Sequence, residues 1–132
     1  MWVDRLQLRN FRNYEFLDLE PDAGVNLLVG DNAQGKTNLL ESMIYLSRGS
    51  STHREEELIR WEQEYARIEG RIQGADREED LVYVLYRGNR RRQIQKNGVK
   101  QKSVSAMDPV LTTVLFCPED LLILRSGAAA RR

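Results

Sequence analysis

Two periodicities alternate along this chain. Residues 2–8 place Trp2, Asp4, Leu6 and Leu8 on one side and Val3, Arg5 and Gln7 on the other, which is the two-residue period of a strand. Residues 14–20 repeat it, with Tyr14, Phe16, Asp18 and Glu20 opposite Glu15, Leu17 and Leu19. Two strands joined across Arg9–Asn13 are therefore expected. Pro21-Asp22-Ala23-Gly24 reads as a turn. Val25-Asn26-Leu27-Leu28-Val29 is a short apolar run of the kind that forms a buried strand. The period then changes: Leu39, Leu40, Met43, Ile44 and Leu46 mark one face of a helix, and Gly49 ends it.

Downstream, Ser50–Glu57 is polar and reads as a loop, and Leu58-Ile59-Arg60-Trp61 as a short helix. From Tyr65 to Gln73, Ala66, Ile68, Gly70 and Ile72 alternate inward against Arg67, Glu69 and Arg71. Gly74–Asp80 is a charged hairpin loop, and Leu81–Arg87 is a strong β sequence. Gly88-Asn89 turns the chain into a strand over Arg92–Lys96, and Asn97-Gly98 is a two-residue hairpin signal. Ser103–Asp108 predicts a helical turn ended by Pro109, and Leu111–Phe116 a buried strand. Pro118 suits a first helical position, with Glu119 and Asp120 favourable in the first turn of a helix through Arg125. The expected fold class is mixed α/β: a strand–loop–helix unit with an antiparallel meander of about three strands inserted after its helix. A minimal kinase would alternate strand and helix instead.

The loop between that strand and helix carries the chemistry. Gly30-Asp31-Asn32-Ala33-Gln34-Gly35-Lys36-Thr37 is a full G-x-x-x-x-G-K-[ST] phosphate-binding loop. Its glycines permit backbone angles closed to other residues and keep side chains away from phosphates. Peptide N–H groups from about Asn32 to Thr37, with Asn38 following, can then converge on anionic oxygens, aided by the positive end of the helix dipole. Lys36 would reach the terminal phosphates and the Thr37 hydroxyl would ligate Mg²⁺.

Composition narrows the rest. The chain has 132 residues, of which 30% are charged, with a net charge of zero. That suffices for one domain with a real core, and it makes the whole chain no general polyanion binder, so any nucleic-acid contact must come from a local patch. The single cysteine, Cys117, permits no internal disulfide and suits a reducing cytoplasm. No apolar stretch reaches transmembrane length.

The string Asn10-Phe11-Arg12-Asn13-Tyr14, followed by Gly30 to Glu41, resembles the RecF family of bacterial recombination-repair proteins. Phe116-Cys117-Pro118-Glu119-Asp120-Leu121 resembles a second signature of that family, and Arg131-Arg132 the start of a third. The resemblance implies an SMC-like, ABC-type P-loop ATPase domain. Residues 1–132 would be its N-terminal lobe, with a helical subdomain starting near 118–132. It further implies ATP- and Mg²⁺-dependent clamping on gapped or junction DNA, in replication, recombination and repair linked to the SOS response. Two subunits would close head to tail around ATP, and RecO and RecR would be the partners in loading recombinase. The family's signature motif and the acid after its second nucleotide-site strand would lie beyond Arg132. The expectation is thus a piece of a longer, weakly DNA-dependent ATPase, with no catalytic residue here, that binds ATP and hydrolyses it barely or not at all.

The resemblance also assigns side chains. Arg12 and Asn13 would line the nucleotide. Glu119 or Asp120 would join the metal shell, against the alternative of plain helix-start acids. From Arg87 to Lys102 there are basic residues and no acid: Arg87, Arg90, Arg91, Arg92, Lys96, Lys100 and Lys102. Such a run is a solvated hairpin or a contact to a phosphate backbone, and Arg90, Arg91, Arg92, Lys96, Lys100 and Lys102 are the DNA candidates. His53 reads as a surface residue, Cys117 as packing, and Trp2 and Trp61 as core. Two other readings remain: a self-contained kinase or GTPase, though no Asn-Lys-x-Asp guanine motif occurs, and a non-catalytic DNA-binding module.

Overall fold

The computed structural model describes residues 1–31 and 35–116. Its frame is one six-stranded antiparallel sheet, built from β1 (Trp2–Phe11), β2 (Tyr14–Leu19), β3 (Tyr65–Gln73), β4 (Glu78–Tyr86), β5 (Gln93–Lys96) and β6 (Val99–Lys100) in the order β2-β1-β3-β4-β5-β6. The helix α1 (Lys36–Arg48) and the single turn α2 (Glu55–Leu58) connect β2 to β3. From Arg5 on, the predicted alternation sets the register; a bulge between Val3 and Arg5 brings Val3, expected on the side of Arg5, into the core. Leu8 pairs with Ile68 and Ile68 with Tyr83, so the apolar sides of β1, β3 and β4 share one face. That face is buried under Leu39, Tyr45 and Leu46 of α1 and under Leu58 and Ile59. Gly70 is required here by proximity, because a Cβ on it would collide with the Leu46 side chain. The opposite face is a charged ladder, with Arg5 on Asp18 at 2.7 Å and Arg71 on Asp80 at 3.3 Å.

The turn between β1 and β2 is unusual. Asn10 and Arg12, on either side of Phe11, both sit at φ 51°, a left-handed conformation that costs non-glycine residues of order 1–3 kcal/mol. Tertiary contacts hold it. Phe11 is fully buried and bridges to Ile59, the Arg12 amide donates to the Leu58 carbonyl at 2.8 Å, and the Arg60 amide donates to the Asn10 carbonyl at 2.8 Å.

Several elements differ from the sequence reading. The run 25–29 forms no strand: Val25, Leu27 and Val29 are 95%, 84% and 83% exposed. Leu111–Phe116 likewise forms none, and Val114 is 93% exposed. A strand of the kind buried on both faces needs neighbours to pair with, and the described residues put none beside either run. The short helix lies earlier than expected, over Glu55–Leu58, where its acids favour the first turn. Leu58 and Ile59 instead plug the β1–β2 turn. The loop expected over 74–80 is shorter, because β4 already begins at Glu78. Ser103–Asp108, by contrast, makes the single turn expected of it, closed by the Met107 amide donating to the Val104 carbonyl. Trp61 is 85% exposed and Trp2 38%, so neither is core. The helix expected after Pro118 lies outside the described residues.

Candidate nucleotide-binding site

Gly35 is the residue on which the site turns. It caps α1 at φ 95°, with no side chain capping the helix and no acid in its first turn. The first N–H groups of a helix have no partner within it, so this end presents donors and positive potential that no side-chain cap or first-turn acid offsets. Gly35 is also covered. A Cβ there would lie 2.6 Å from Asn13 Nδ2 and 2.8 Å from Tyr14 Oη. The Tyr14 hydroxyl donates to the Gly35 carbonyl at 2.9 Å, and Asn38 Nδ2 donates to Asn13 Oδ1 at 2.8 Å. The β1–β2 turn is thus a lid on the second half of the phosphate loop.

Lys36 Nζ donates to the Gly30 carbonyl, so it spans the loop from its end to its start. Thr37 is exposed and borders a cavity of about 550 Å³ with Leu40, Glu41, His53 and Phe116. Its hydroxyl is therefore open to a metal that takes most of its other oxygens from phosphates and water. Asn32, Ala33 and Gln34 lie outside the described residues. So do Cys117, Glu119 and Asp120, so the candidate metal acids have no structural placement. Among the described residues no group of three or more His, Cys, Asp or Glu could hold a metal by itself.

Arg12 reaches the helix. Its Nε and Nη2 donate to Glu41 Oε2 and Oε1 at 3.1 and 3.0 Å. Glu41 Oε1 also accepts from Ser51 Oγ at 3.3 Å and lies 3.0 Å from His53 Nδ1. Arg60 donates to the Asn13 carbonyl at 2.7 Å. Tyr14, Glu41, Ser51 and Arg60 carried no assigned role in the sequence. The sequence places Glu41 four residues after Thr37, one helical turn along the same face, but carries no local signal of its pairing with Arg12.

The basic run divides. Arg90 stacks on Tyr86 at 3.9 Å from the ring centroid, and Arg91, Lys100 and Lys102 are exposed. Arg92 turns inward, donating to Tyr45 Oη at 2.7 Å, to Glu55 Oε1 at 3.0 Å and to the Gly49 carbonyl. Lys96 lies half-buried beside Glu79 at 3.5 Å, and Arg87 donates to the Gln63 carbonyl at 2.8 Å. Arg92 and Lys96 are therefore engaged within the fold.

A family model described as an AAA domain matches residues 5–113. Over its full length the chain is 36% identical to the DNA replication and repair protein RecF of Bacillus velezensis and 38% identical to that of Clostridium novyi, covering 36% and 37% of those proteins. The chain thus spans about a third of the length of the curated relatives it matches. The structure of the recombination mediator protein RecF–ATPrS in the RecFOR pathway matches with a TM-score of 0.87 at 36% identity, over 98% of this chain and 36% of that one. An SMC ATPase structure shares the fold, with a TM-score of 0.76 at 18% identity over 99% of this chain and 95% of that one. The fold is that of the RecF and SMC ATPases, and the chain belongs to the AAA-domain family, RecF-like over its whole length.

Proposed function

We propose that this chain is the ATP- and Mg²⁺-binding lobe of a RecF-like DNA repair protein. The observation that carries the reading is the uncapped, acid-free start of α1 at Gly35, roofed by Asn13 and Tyr14 and spanned by Lys36. Peptide N–H groups and Lys36 would hold the phosphates, Thr37 the Mg²⁺, and Arg12 and Asn13 the flank of the nucleotide. ATP is preferred over GTP because the RecF structures similar to this chain are named for ATP and an ATP analogue and no guanine motif is present. Bound ATP with Mg²⁺ supplies the charge that these donors recognise. Turnover by this chain alone is expected to be barely measurable.

In the whole protein the same reading extends to a cytoplasmic head-to-tail dimer with ATP, closed on gapped or junction DNA and loading recombinase with RecO and RecR. Glu119 or Asp120 would complete the metal shell. The exposed Arg90, Arg91, Lys100 and Lys102 supply the basic surface for phosphate-backbone contact, sequence-blind and weakened by salt. Among the described residues no helix is long and apolar enough to cross a membrane.

Isothermal titration of ATP with Mg²⁺ into the chain and into Lys36→Ala, with GTP for comparison, tests the proposal. The expected result is ATP binding that the substitution abolishes, weaker binding of GTP and negligible hydrolysis. Undiminished affinity in Lys36→Ala would remove that lysine from the site. Absence of binding by a chain with a folded circular dichroism spectrum would remove the nucleotide reading itself.

A further inference from the structure

The Arg12–Glu41 pair is poorly explained as a surface ion pair. Its side chains are only 23% and 15% exposed, and it closes a contact between residues 29 positions apart. The geometry is a fork: Nε and Nη2 on one carboxylate, an arrangement that fixes the guanidinium plane as well as its distance. A guanidinium carries N–H groups on two edges. Glu41 occupies one edge, and among the described residues no side-chain or carbonyl acceptor takes the rest. Arg12 also borders a groove of about 880 Å³ of mixed charge, in which Arg54 and Arg87 face Glu56, Glu57, Glu62 and Glu64, so the acceptor for its open edge is sought at the start of α1 and not in that groove.

Glu41 is itself held from two other directions. Ser51 and His53 converge on the same Oε1 that accepts from Arg12. The carboxylate therefore joins three segments: the β1–β2 turn, α1, and the connection from α1 to α2. On the turn, the residue after Arg12 is Asn13, whose side chain crowds Gly35. The backbone of Arg12 is left-handed at φ 51°, so the position is imposed by its surroundings.

We infer that Glu41 is a positioning residue for the nucleotide: it acts through Arg12, aligning one edge of the guanidinium so that the other edge is presented to an anionic oxygen of the phosphates held at the start of α1. Ser51 and His53 fix Glu41 in turn. This rests on the nucleotide reading given above. It adds a charge that never touches the ligand yet sets the affinity of one that does.

The test is a set of ATP–Mg²⁺ titrations on the same chain, each with a thermal melt. Glu41→Gln keeps the shape of the side chain but turns a charged double acceptor into a group that can accept on one oxygen only. It should weaken ATP binding by about 5- to 20-fold while leaving the chain folded. Arg12→Ala should weaken binding at least as much, and Arg12→Ala with Glu41→Gln no further than Arg12→Ala alone, because both act through one guanidinium. Ser51→Ala with His53→Ala, on an exposed loop, should cost a few-fold, and nothing when Arg12 is already alanine. These two replacements also read the proposal if Glu41→Gln does not fold. A lowered melting temperature with unchanged ATP affinity in Glu41→Gln, or losses that add to those of Arg12→Ala, would reduce Glu41 to a structural tie and overturn the inference. The nucleotide reading would then still stand on Lys36. No ATP binding by the unaltered chain would overturn both.

Discussion

The two ends of α1 are both closed by a left-handed glycine, Gly35 at φ 95° and Gly49 at φ 66°, yet they are built to opposite purposes. At the start, no side chain caps the helix and no acid sits in the first turn. At the end, the Gly49 amide donates to the Tyr45 carbonyl at 2.7 Å, and Arg92 gathers the Gly49 carbonyl, the Tyr45 hydroxyl and Glu55 into one partly buried knot. Tyr83 lies edge-on to Tyr45 with ring centroids 5.3 Å apart. A helix leaves donors at one end and acceptors at the other. Here the Tyr45 and Gly49 carbonyls are taken up by the fold, whereas no side chain caps the donors at the start. The comparison separates residues that hold the molecule together from those that await a ligand, and it predicts that damage at the two ends should be read by different instruments.

The largest effect on stability belongs to the sealed end. Gly49→Ala places a Cβ against the Val104 side chain and 3.1 Å from the Tyr83 hydroxyl, at a backbone angle alanine disfavours. The left-handed cost and the overpacking together should remove about 2–4 kcal/mol, seen as a lower urea midpoint. Gly35→Ala should cost less stability, about 1–2 kcal/mol, since its neighbours are the tips of Asn13 and Tyr14. It should nonetheless lose at least tenfold in ATP affinity, because the roof over the phosphate loop must lift. Equal loss of ATP affinity in both variants would mean that the two ends are not functionally distinct.

Next in size is Arg92→Gln. It removes a charge that three acceptors share and leaves Glu55 and Tyr45 short of a donor. About 1–2 kcal/mol of stability should go, with ATP affinity within twofold of the original. A large drop in affinity would show that the sealed end communicates along α1 to the open one.

That Arg92 belongs to the fold was legible in principle. In a strand alternate residues share a face, and Ile94 of β5 is buried. Arg92 and Lys96 have its parity, whereas Arg91, Gln93 and Gln95 do not. Charge counting alone saw a uniform basic run. The helix α1, the Asn97-Gly98 hairpin and the inward faces of β3 and β4 were readable because spacing and turn chemistry are local. What failed was of another kind. The runs 25–29 and 111–116 look like strands because apolar residues ask to be buried, but the pattern does not say what buries them: the described fold leaves 25–29 at the surface and, of the second run, takes Leu111 into the core while Val114, Leu115 and Phe116 stay exposed. Glu41 was missed because its meaning is a contact with Arg12, and no local period encodes a pairing 29 residues away.

The smallest predicted effect is a pH dependence confined to the sealed end. Burial, reinforced by the hydrogen bond to Glu55, raises the Tyr45 pKa well above the ordinary tyrosine value, and the nearby charge of Arg92 only partly opposes it. Burial raises Tyr83 as well. The folded state therefore keeps protons that the unfolded chain releases near pH 10. Stability from these tyrosines is complete below that pH and is lost as pH rises toward the folded values, by at most about 1.4 kcal/mol per pH unit for each group. Urea midpoints measured between pH 9 and pH 11 should fall more steeply in the unaltered chain than in Tyr45→Phe, which at neutral pH should be less stable by about 1 kcal/mol for its lost hydrogen bonds. The two stabilities should converge as pH rises. If the slopes are the same, Tyr45 is not the group that titrates, and the knot around Arg92 is more open to water than its burial indicates.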